Sequence, residues 1–505
     1  MASNPVKQLF GQTAVYGITT IVGRLLNYFL VPLYTYTFVP EQYGIITEFY
    51  AYAVLLQIML TYGMETGFFR FSEKNYESDI VFSTAFTSLL TTSSIFIILV
   101  YFFSQDIANS LGYSEHKEYV IYFGFILGLD AVSAIFFARL RRQKRVWRFA
   151  FYKILNISLN IGFNLFFILL CPYLYKNTPN SVICQIYNPT IGIGYIFISN
   201  LIASSVTFLL FIPSLVKISY RFDYRLWLGL LGYSLPLLIT GLTGAINEVA
   251  DRIMLKFFTI VPENIKDTHE YVMYQIGIYG ANTKIAVIMM LFVQAFRYAA
   301  EPFFFSYAKQ KDAHKVFADV MKFYFITALL IFLFVMLYLD FIKYFISPKY
   351  FEGLKVVFPM LVSRLFVGIF FLLSFWYKLT DRTHYGMVIF LIGSLITLIM
   401  NYLLIPLIGY MGCAITSMTT YIVMTIISYL WGRNYLKIKY DFRSIIFYVL
   451  IASSILFIFK ILLNNLQISA IPRFLIATLF IFIYLFVVIT KEKLWHLLTL
   501  RKRFK

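Results

Sequence analysis

Gly232-Tyr-Ser-Leu-Pro-Leu-Leu-Ile-Thr-Gly-Leu-Thr-Gly-Ala-Ile-Asn-Glu-Val-Ala-Asp-Arg-Ile-Met-Leu-Lys256 decides how this chain is read. It is an apolar, helix-length run that nevertheless carries Thr240, Thr243, Asn247, Glu248, Asp251, Arg252 and Lys256. The next run, 272–300, opens with Gln275-Ile-Gly-Ile-Tyr-Gly-Ala-Asn282-Thr-Lys284 and leads through Arg297 to Glu301-Pro302. A charged side chain at the centre of a bilayer costs about 2.5–3.5 kcal/mol on insertion scales. Several in one hairpin must face each other or a wet cavity, and the default inference is a substrate or ion pathway. The alternative is a set of buried ion pairs, since Glu248 and Arg252 stand four apart. Lys284 lacks an acid in helical register, which favours the pathway.

Working outward, the same apolar character covers the whole chain. Its 505 residues are 60% hydrophobic and 13% charged, against about 25% charged in soluble domains. Runs of about 20 apolar residues, the length a helix needs to cross a bilayer, recur throughout. Composition and run length predict an all-α integral membrane protein with fourteen spans. They lie near 11–38, 44–69, 80–104, 118–139, 149–172, 190–215, 227–260, 272–300, 317–341, 353–378, 384–407, 411–432, 443–463 and 472–490. Met1–Gly11 lacks the pattern of a cleavable signal, so the first run reads as a retained helix.

Lysine and arginine orient the bundle. With the N-terminus inside, inner segments receive 27 of these residues and outer segments 8. Both ends are therefore expected in the cytoplasm, with the chain multi-pass in the membrane. The formal charge of +19 sits largely in loops on one side, so nucleic acid is not the expected partner. The Arg139–Arg148 cluster reads as an anchor to anionic lipid headgroups. Cys171, Cys184 and Cys413 have no metal or redox spacing; Cys171 and Cys184 could lie near one outer surface and pair, but two unrelated thiols are the expectation.

A repeat is legible inside the bundle. A shift of 237 sets Asn164 on Asn401, and a shift of 233 sets Tyr43-Gly44 on Ile276-Gly277. Asn156, Asn160 and Asn164 line one face of the fifth span; Ser394, Thr397 and Asn401 line one face of the eleventh. Two pseudo-symmetric six-helix lobes in the same orientation follow, 1–216 and 217–440. Two extra helices and a basic tail occupy 441–505. In a parallel repeat the site is expected between the halves.

Several stretches together resemble a known family. They are Gly23-Arg-Leu-Leu-Asn-Tyr-Phe-Leu-Val-Pro32 with Gln42-Tyr-Gly44; Tyr233-Ser-Leu-Pro236; Asp251-Arg-Ile-Met254; Ile276–Lys284; Glu301-Pro302; and Asn401-Tyr-Leu-Leu-Ile-Pro406 through Gly412. In order and spacing they are similar to the polysaccharide biosynthesis proteins, the Wzx-type flippases of lipid-linked oligosaccharides. These belong to the MOP superfamily with the MATE multidrug exporters and the lipid II flippase MurJ. The resemblance implies a two-lobed, alternating-access transporter of an undecaprenyl-pyrophosphate-linked glycan. Such a protein would work beside a polysaccharide polymerase. No motif reports the sugar. A cation-coupled MATE-type exporter and a lipid II flippase remain the alternatives.

The charges inside the spans point the same way. The deeper ones are Arg24, Asp130, Arg252, Lys284 and Arg364, four of them cationic. Arginine grips a pyrophosphate bidentately and lysine holds it as a point charge, so Arg24, Arg252, Lys284 and Arg364 are the candidate clamp. Under a shift of 228, Arg24 and Arg252 are repeat counterparts. Asp130, Asn247, Glu248 and Asp251 are candidates for coupling to Na⁺ or H⁺; no other cofactor is expected. Glu48, Lys153, Lys256 and Lys322 lie near span ends and are expected to snorkel. An enzyme is not expected. There is no Asp-x-Asp pair, the five His all sit in or beside loops, and there is no large outer loop.

Overall fold

The computed structural model describes residues 19, 21–73, 77–178, 187–215, 220–466 and 469–493. These residues are helical throughout, with no strand among them. In chain order the helices are α1 (Leu30–Thr37), α2 (Pro40–Ser72), α3 (Ser78–Phe102), α4 (Lys117–Arg142), α5 (Val146–Asn177), α6 (Gly194–Leu215), α7 (Tyr224–Phe258) and α8 (Thr268–Ile285). Then follow α9 (Val287–Tyr307), α10 (Ala313–Leu337), α11 (Pro348–Leu379), α12 (His384–Ile408), α13 (Tyr410–Gly432), α14 (Phe442–Leu466) and α15 (Ala470–Lys491). Thirteen of them, all but α1 and α8, are long and apolar enough to cross a membrane. The first expected span, 11–38, lies partly outside the described residues.

The expected span 272–300 is two helices, α8 and α9. The break falls at Ala286, whose N–H turns back to the Thr283 carbonyl. The polar run Asn282-Thr-Lys284 precedes the break, and α8 is buried almost all round. A buried helix can carry amides and hydroxyls that a lipid-facing one cannot.

Contacts divide the chain into two compact units. The first comprises Met1–Gly280 with Thr397–Tyr410; the second comprises Ala281–Ile396 with Met411–Lys505. In the first, α4 packs between α3 and α6, and α7 lies along α2. Its core is aromatic: Phe82 meets Phe136 edge-on at 5.3 Å, and Phe136 stacks on Phe211 at 4.8 Å. α2 bends at Tyr62 and Gly63, both left-handed. In the second unit, α10 packs on α11 and α14, with Gly368 of α11 in close contact with the Tyr324 ring.

The two last helices are tied to α10 along its length. Lys322 pairs with Glu492 at 2.7 Å, and Tyr448 donates to the same carboxylate at 2.8 Å. Tyr484, fully buried, donates to the Ile326 carbonyl at 3.0 Å. Beyond the other end of α10, Arg473 reaches Asp340 at 3.1 Å. Lys322 therefore does not snorkel, contrary to expectation: the carboxylate of Glu492, just past the end of α15, holds it. Cys171 and Cys413 are buried; Cys184 lies outside the described residues.

Candidate functional site

The polar residues of α7 form a buried cluster in the first unit. Asn247 and Asp251 are one turn apart and face inward, whereas Glu248 between them is exposed. Asp251 is held from three directions. Tyr279 of α8 donates to Oδ2 at 2.5 Å, the Arg252 backbone N–H to Oδ1 at 2.8 Å, and the Arg252 guanidinium lies 3.4 Å from Oδ1. That guanidinium also donates to the Glu248 carbonyl at 2.8 Å and sits 5.8 Å from the Tyr279 ring centre. The Glu248–Arg252 pair, raised as the alternative to a pathway, is not formed; Arg252 lies beside Asp251 instead. Backbone position explains this: Arg252 folds back along its own helix and meets the carbonyl of Glu248, not its carboxylate.

α12 completes the cluster. Thr397 donates to Asn247 Oδ1 at 3.2 Å, and the rings of Phe258 and Tyr402 meet at 5.3 Å. Both contacts advance in the same chain direction, so α7 and α12 run parallel here. Asn401 then stands one turn on from Thr397, as Asp251 stands one turn on from Asn247. Asn401 is fully buried, and among the described residues neither its Oδ1 nor its Nδ2 has a hydrogen-bond partner. A buried amide without partners forfeits about 1–3 kcal/mol, so its position calls for a ligand or water. A carboxylate, two amide oxygens and a hydroxyl are the oxygen donors that a hard cation takes. The repeat pointed at Asn401; its lack of partners was not legible. Its repeat match, Asn164, is satisfied by Tyr34 at 2.9 Å and by Asn160.

Asp130, the other coupling candidate, sits in the first unit on α4, where Ser204 hydrogen-bonds it and Lys153 acts on it electrostatically. Nearby, Asn200 donates to the Tyr50 hydroxyl at 3.2 Å. The four clamp candidates divide between the units. Arg24 is exposed and Arg252 half-buried in the first; Lys284 and Arg364 are half-buried in the second.

A second charged cluster was missed by sequence reasoning. Glu48 of α2 is wholly buried, and Lys256 of α7 donates to it at 2.6 Å. Lys256 also donates to the Leu111 carbonyl at 2.6 Å, and the Tyr113 hydroxyl donates to the other Glu48 oxygen. His269 meets the Tyr113 ring edge-on at 5.2 Å. Burial first, and then the Lys256 charge, hold its imidazole below the ordinary value. Glu48 and Lys256 therefore do not snorkel. They neutralise each other where α2, α7 and the α3–α4 connection converge. The available signal was an acid and a base near the same side of two spans.

The Arg139–Arg148 cluster also divides. Arg139 pairs with Asp79 at 2.8 Å, Arg141 with Glu65 at 2.5 Å, and Arg142 donates to Ser78 at 2.5 Å. These three hold α2, α3 and α4 together. Lys144, Arg145 and Arg148 stay exposed beside Trp147.

No family model matches the chain. Over 316 residues it is 21% identical to "Lsg locus putative protein 1" of Haemophilus influenzae (strain ATCC 51907 / DSM 11121 / KW20 / Rd), covering 60% of this chain and 68% of that protein. Among solved structures, the lipid II flippase MurJ in an inward closed conformation superposes with a TM-score of 0.72 at 17% identity, covering 95% of this chain and 99% of that one. The fold is that of MurJ and the MATE transporters. An inward-facing multidrug resistance MATE family transporter of the MOP superfamily matches at 0.62 and 15% identity, covering 82% of this chain and 94% of its own. At these identities the likeness is one of fold, and side-chain chemistry has to be argued from this chain.

Proposed function

We propose that this protein is a flippase that carries an undecaprenyl-pyrophosphate-linked oligosaccharide from the cytoplasmic to the outer leaflet by alternating access, for surface polysaccharide biosynthesis. The observation that carries the reading is the unbalanced positive charge in its membrane helices. Arg24 and Arg364 have no carboxylate partner among the described residues. An unpaired arginine in an apolar helix is costly unless it serves a ligand or a pathway, and the anion that Arg grips best is a phosphate. Arg24, Arg252, Lys284 and Arg364 supply the charge that a pyrophosphate requires. Both termini are assigned to the cytoplasm of a bacterial inner membrane, and the six-helix repeats 1–216 and 217–440 to the moving halves.

Asp251, Asn247 and Asn401 are the proposed seat of a coupling Na⁺ or H⁺, with Asp130 a second candidate. The same acidic cluster would also suit a cation-coupled multidrug exporter, the reading kept beside the first. The test is binding to the purified full-length protein. Undecaprenyl pyrophosphate is expected to bind and a lipophilic cationic dye is not. The opposite result would transfer the protein to the exporters. A preference for lipid II over other pyrophosphate-linked glycans would make it a peptidoglycan-precursor flippase.

A further inference from the structure

In the second unit, on the seam between α9 and α11, one aromatic ring serves two cations. The Arg297 guanidinium carbon lies 5.1 Å, and the Lys378 nitrogen 5.0 Å, from the centre of the Phe371 ring. Each cation is within the other's field, and their charges repel. Among the described residues only one carboxylate accompanies them. Glu301, one turn beyond Arg297 on the same face of α9, lies 3.5 Å from Lys378. Charge-assisted bonds settle at about 2.7–2.9 Å, so this pair is loose. It is also open: the Lys378 and Glu301 side chains are 25% and 42% accessible. Arg297 is exposed and has no acid partner among the described residues.

A pair that only joined two helices would need one cation. Here a second cation is held against the first, and the local excess is one positive charge. A small cavity of about 20 Å³ adjoins the seam: Phe375, 5.1 Å from the Lys378 nitrogen, lines it with Phe304, and Arg433 adds a third cation to its wall. Two accessible cations that share one loose carboxylate fit an anion with several oxygens, and a phosphate is the anion that Arg and Lys hold best. We propose that Arg297 and Lys378 form a phosphate subsite, separate from the four clamp residues, in which Glu301 is an internal counter-ion that the arriving phosphate displaces. That the phosphate belongs to a transported lipid rests on the flippase reading; the subsite chemistry does not.

The sign of one substitution separates this from a structural ion pair. Glu301→Gln removes a competitor for the two cations, so phosphate binding tightens; in a structural pair it would leave binding unchanged or weaker. Binding is measured on the purified full-length protein in detergent with inorganic pyrophosphate, undecaprenyl phosphate and phosphatidylglycerol as probes. Arg297→Ala and Lys378→Ala are expected to weaken binding about tenfold or more, the scale of one charge-assisted contact. Glu301→Gln is expected to tighten it about threefold or more, and melting temperatures confirm that the variants fold. Tightening with all three probes marks the phosphate alone as the ligand. Tightening confined to undecaprenyl phosphate marks the lipid carrier, and tightening confined to phosphatidylglycerol marks a membrane lipid. If Glu301→Gln binds no tighter, or Arg297→Ala and Lys378→Ala bind like the wild type, the subsite is wrong. Undecaprenyl pyrophosphate binding and glycan export by the wild type would still stand or fall separately.

Discussion

Gly44 of α2 and Gly277 of α8 meet backbone to backbone, 233 positions apart in the chain. A Cβ on Gly277 would stand 1.8 Å from the Pro40 carbonyl oxygen and 3.0 Å from the Gly44 nitrogen; one on Gly44 would stand 2.0 Å from the Met273 oxygen. The obstructing atoms are backbone, so no side chain can yield. Gly277→Ala is expected to destabilise by more than the roughly 1–3 kcal/mol of ordinary overpacking. Gly232→Ala, on an open face of α7, is the matched control and should be neutral or slightly stabilising. Melting temperature and monodisperse yield in detergent are the measurements. A Gly277→Ala protein that melts with the control would mean that the crossing is looser than described.

Glu48 and Lys256 make the second prediction. Removing one member of a buried pair strands the other, at a cost of about 3–5 kcal/mol. Glu48→Gln and Lys256→Met are each expected to be strongly destabilised. The double variant should be less damaged than the sum of the two, because its members share one interaction. Thermal melts of the four proteins give the cycle. Strict additivity would show that the ion pair contributes nothing.

The helical architecture was legible because a bilayer imposes length and apolarity on every crossing segment. The division of 272–300 into α8 and α9 was not, since a buried helix and a lipid-facing one share composition until their neighbours are known. Charge partners were less legible still. Asp251 and Arg252 are adjacent in sequence, which a helix normally points apart, yet the arginine turns back and they pair. Glu48 and Lys256 are 208 residues apart, and no local pattern announces that distance. Asn401 was found through the repeat, but whether an amide is satisfied is a property of its surroundings.

Orientation is tested by single cysteines in a background where Cys171, Cys184 and Cys413 are replaced. Tyr113 is an unsuitable position, being buried with its hydroxyl on Glu48. Glu115 and Thr268 are exposed on the connections assigned to the outside, and Gln143 on one assigned to the inside. Cysteines at 115 and 268 are expected to react with an impermeant reagent in whole cells, and one at 143 only after lysis. Labelling at 143 in intact cells would invert the topology.

Asp251→Asn keeps the shape of the α7 cluster and removes its charge. If the cluster binds the coupling ion, transport by this variant loses its response to a collapsed Na⁺ or proton gradient while the protein stays folded. Asn401→Ala should reduce that response less severely, because it removes a neutral ligand. Transport into vesicles with imposed gradients reads both. A full response by Asp251→Asn would leave Asp251 as the structural partner of Arg252 and Tyr279.

The clamp has the most demanding requirement, because its four cations must be needed for function without being needed for folding. Arg24 is exposed and Arg364 unpaired among the described residues, so their alanine variants strand no carboxylate and should fold. Arg252→Ala frees Asp251 from one of its donors, but the Tyr279 hydroxyl and a backbone N–H remain. Loss of one charge-assisted contact, roughly 1.5–3 kcal/mol, should cut pyrophosphate binding about tenfold or more. Arg24→Lys and Arg364→Lys should also be impaired if the grip is bidentate, since an ammonium cannot reproduce the planar fork. Lys322→Ala cannot serve as the neutral control, because it would strand Glu492. Lys460, exposed on α14, can. Glycan export is measured at matched expression for Arg24→Ala, Arg252→Ala, Lys284→Ala and Arg364→Ala against Lys460→Ala. Export equal to the control in all four would sink the clamp and leave these charges as structural features of the helices.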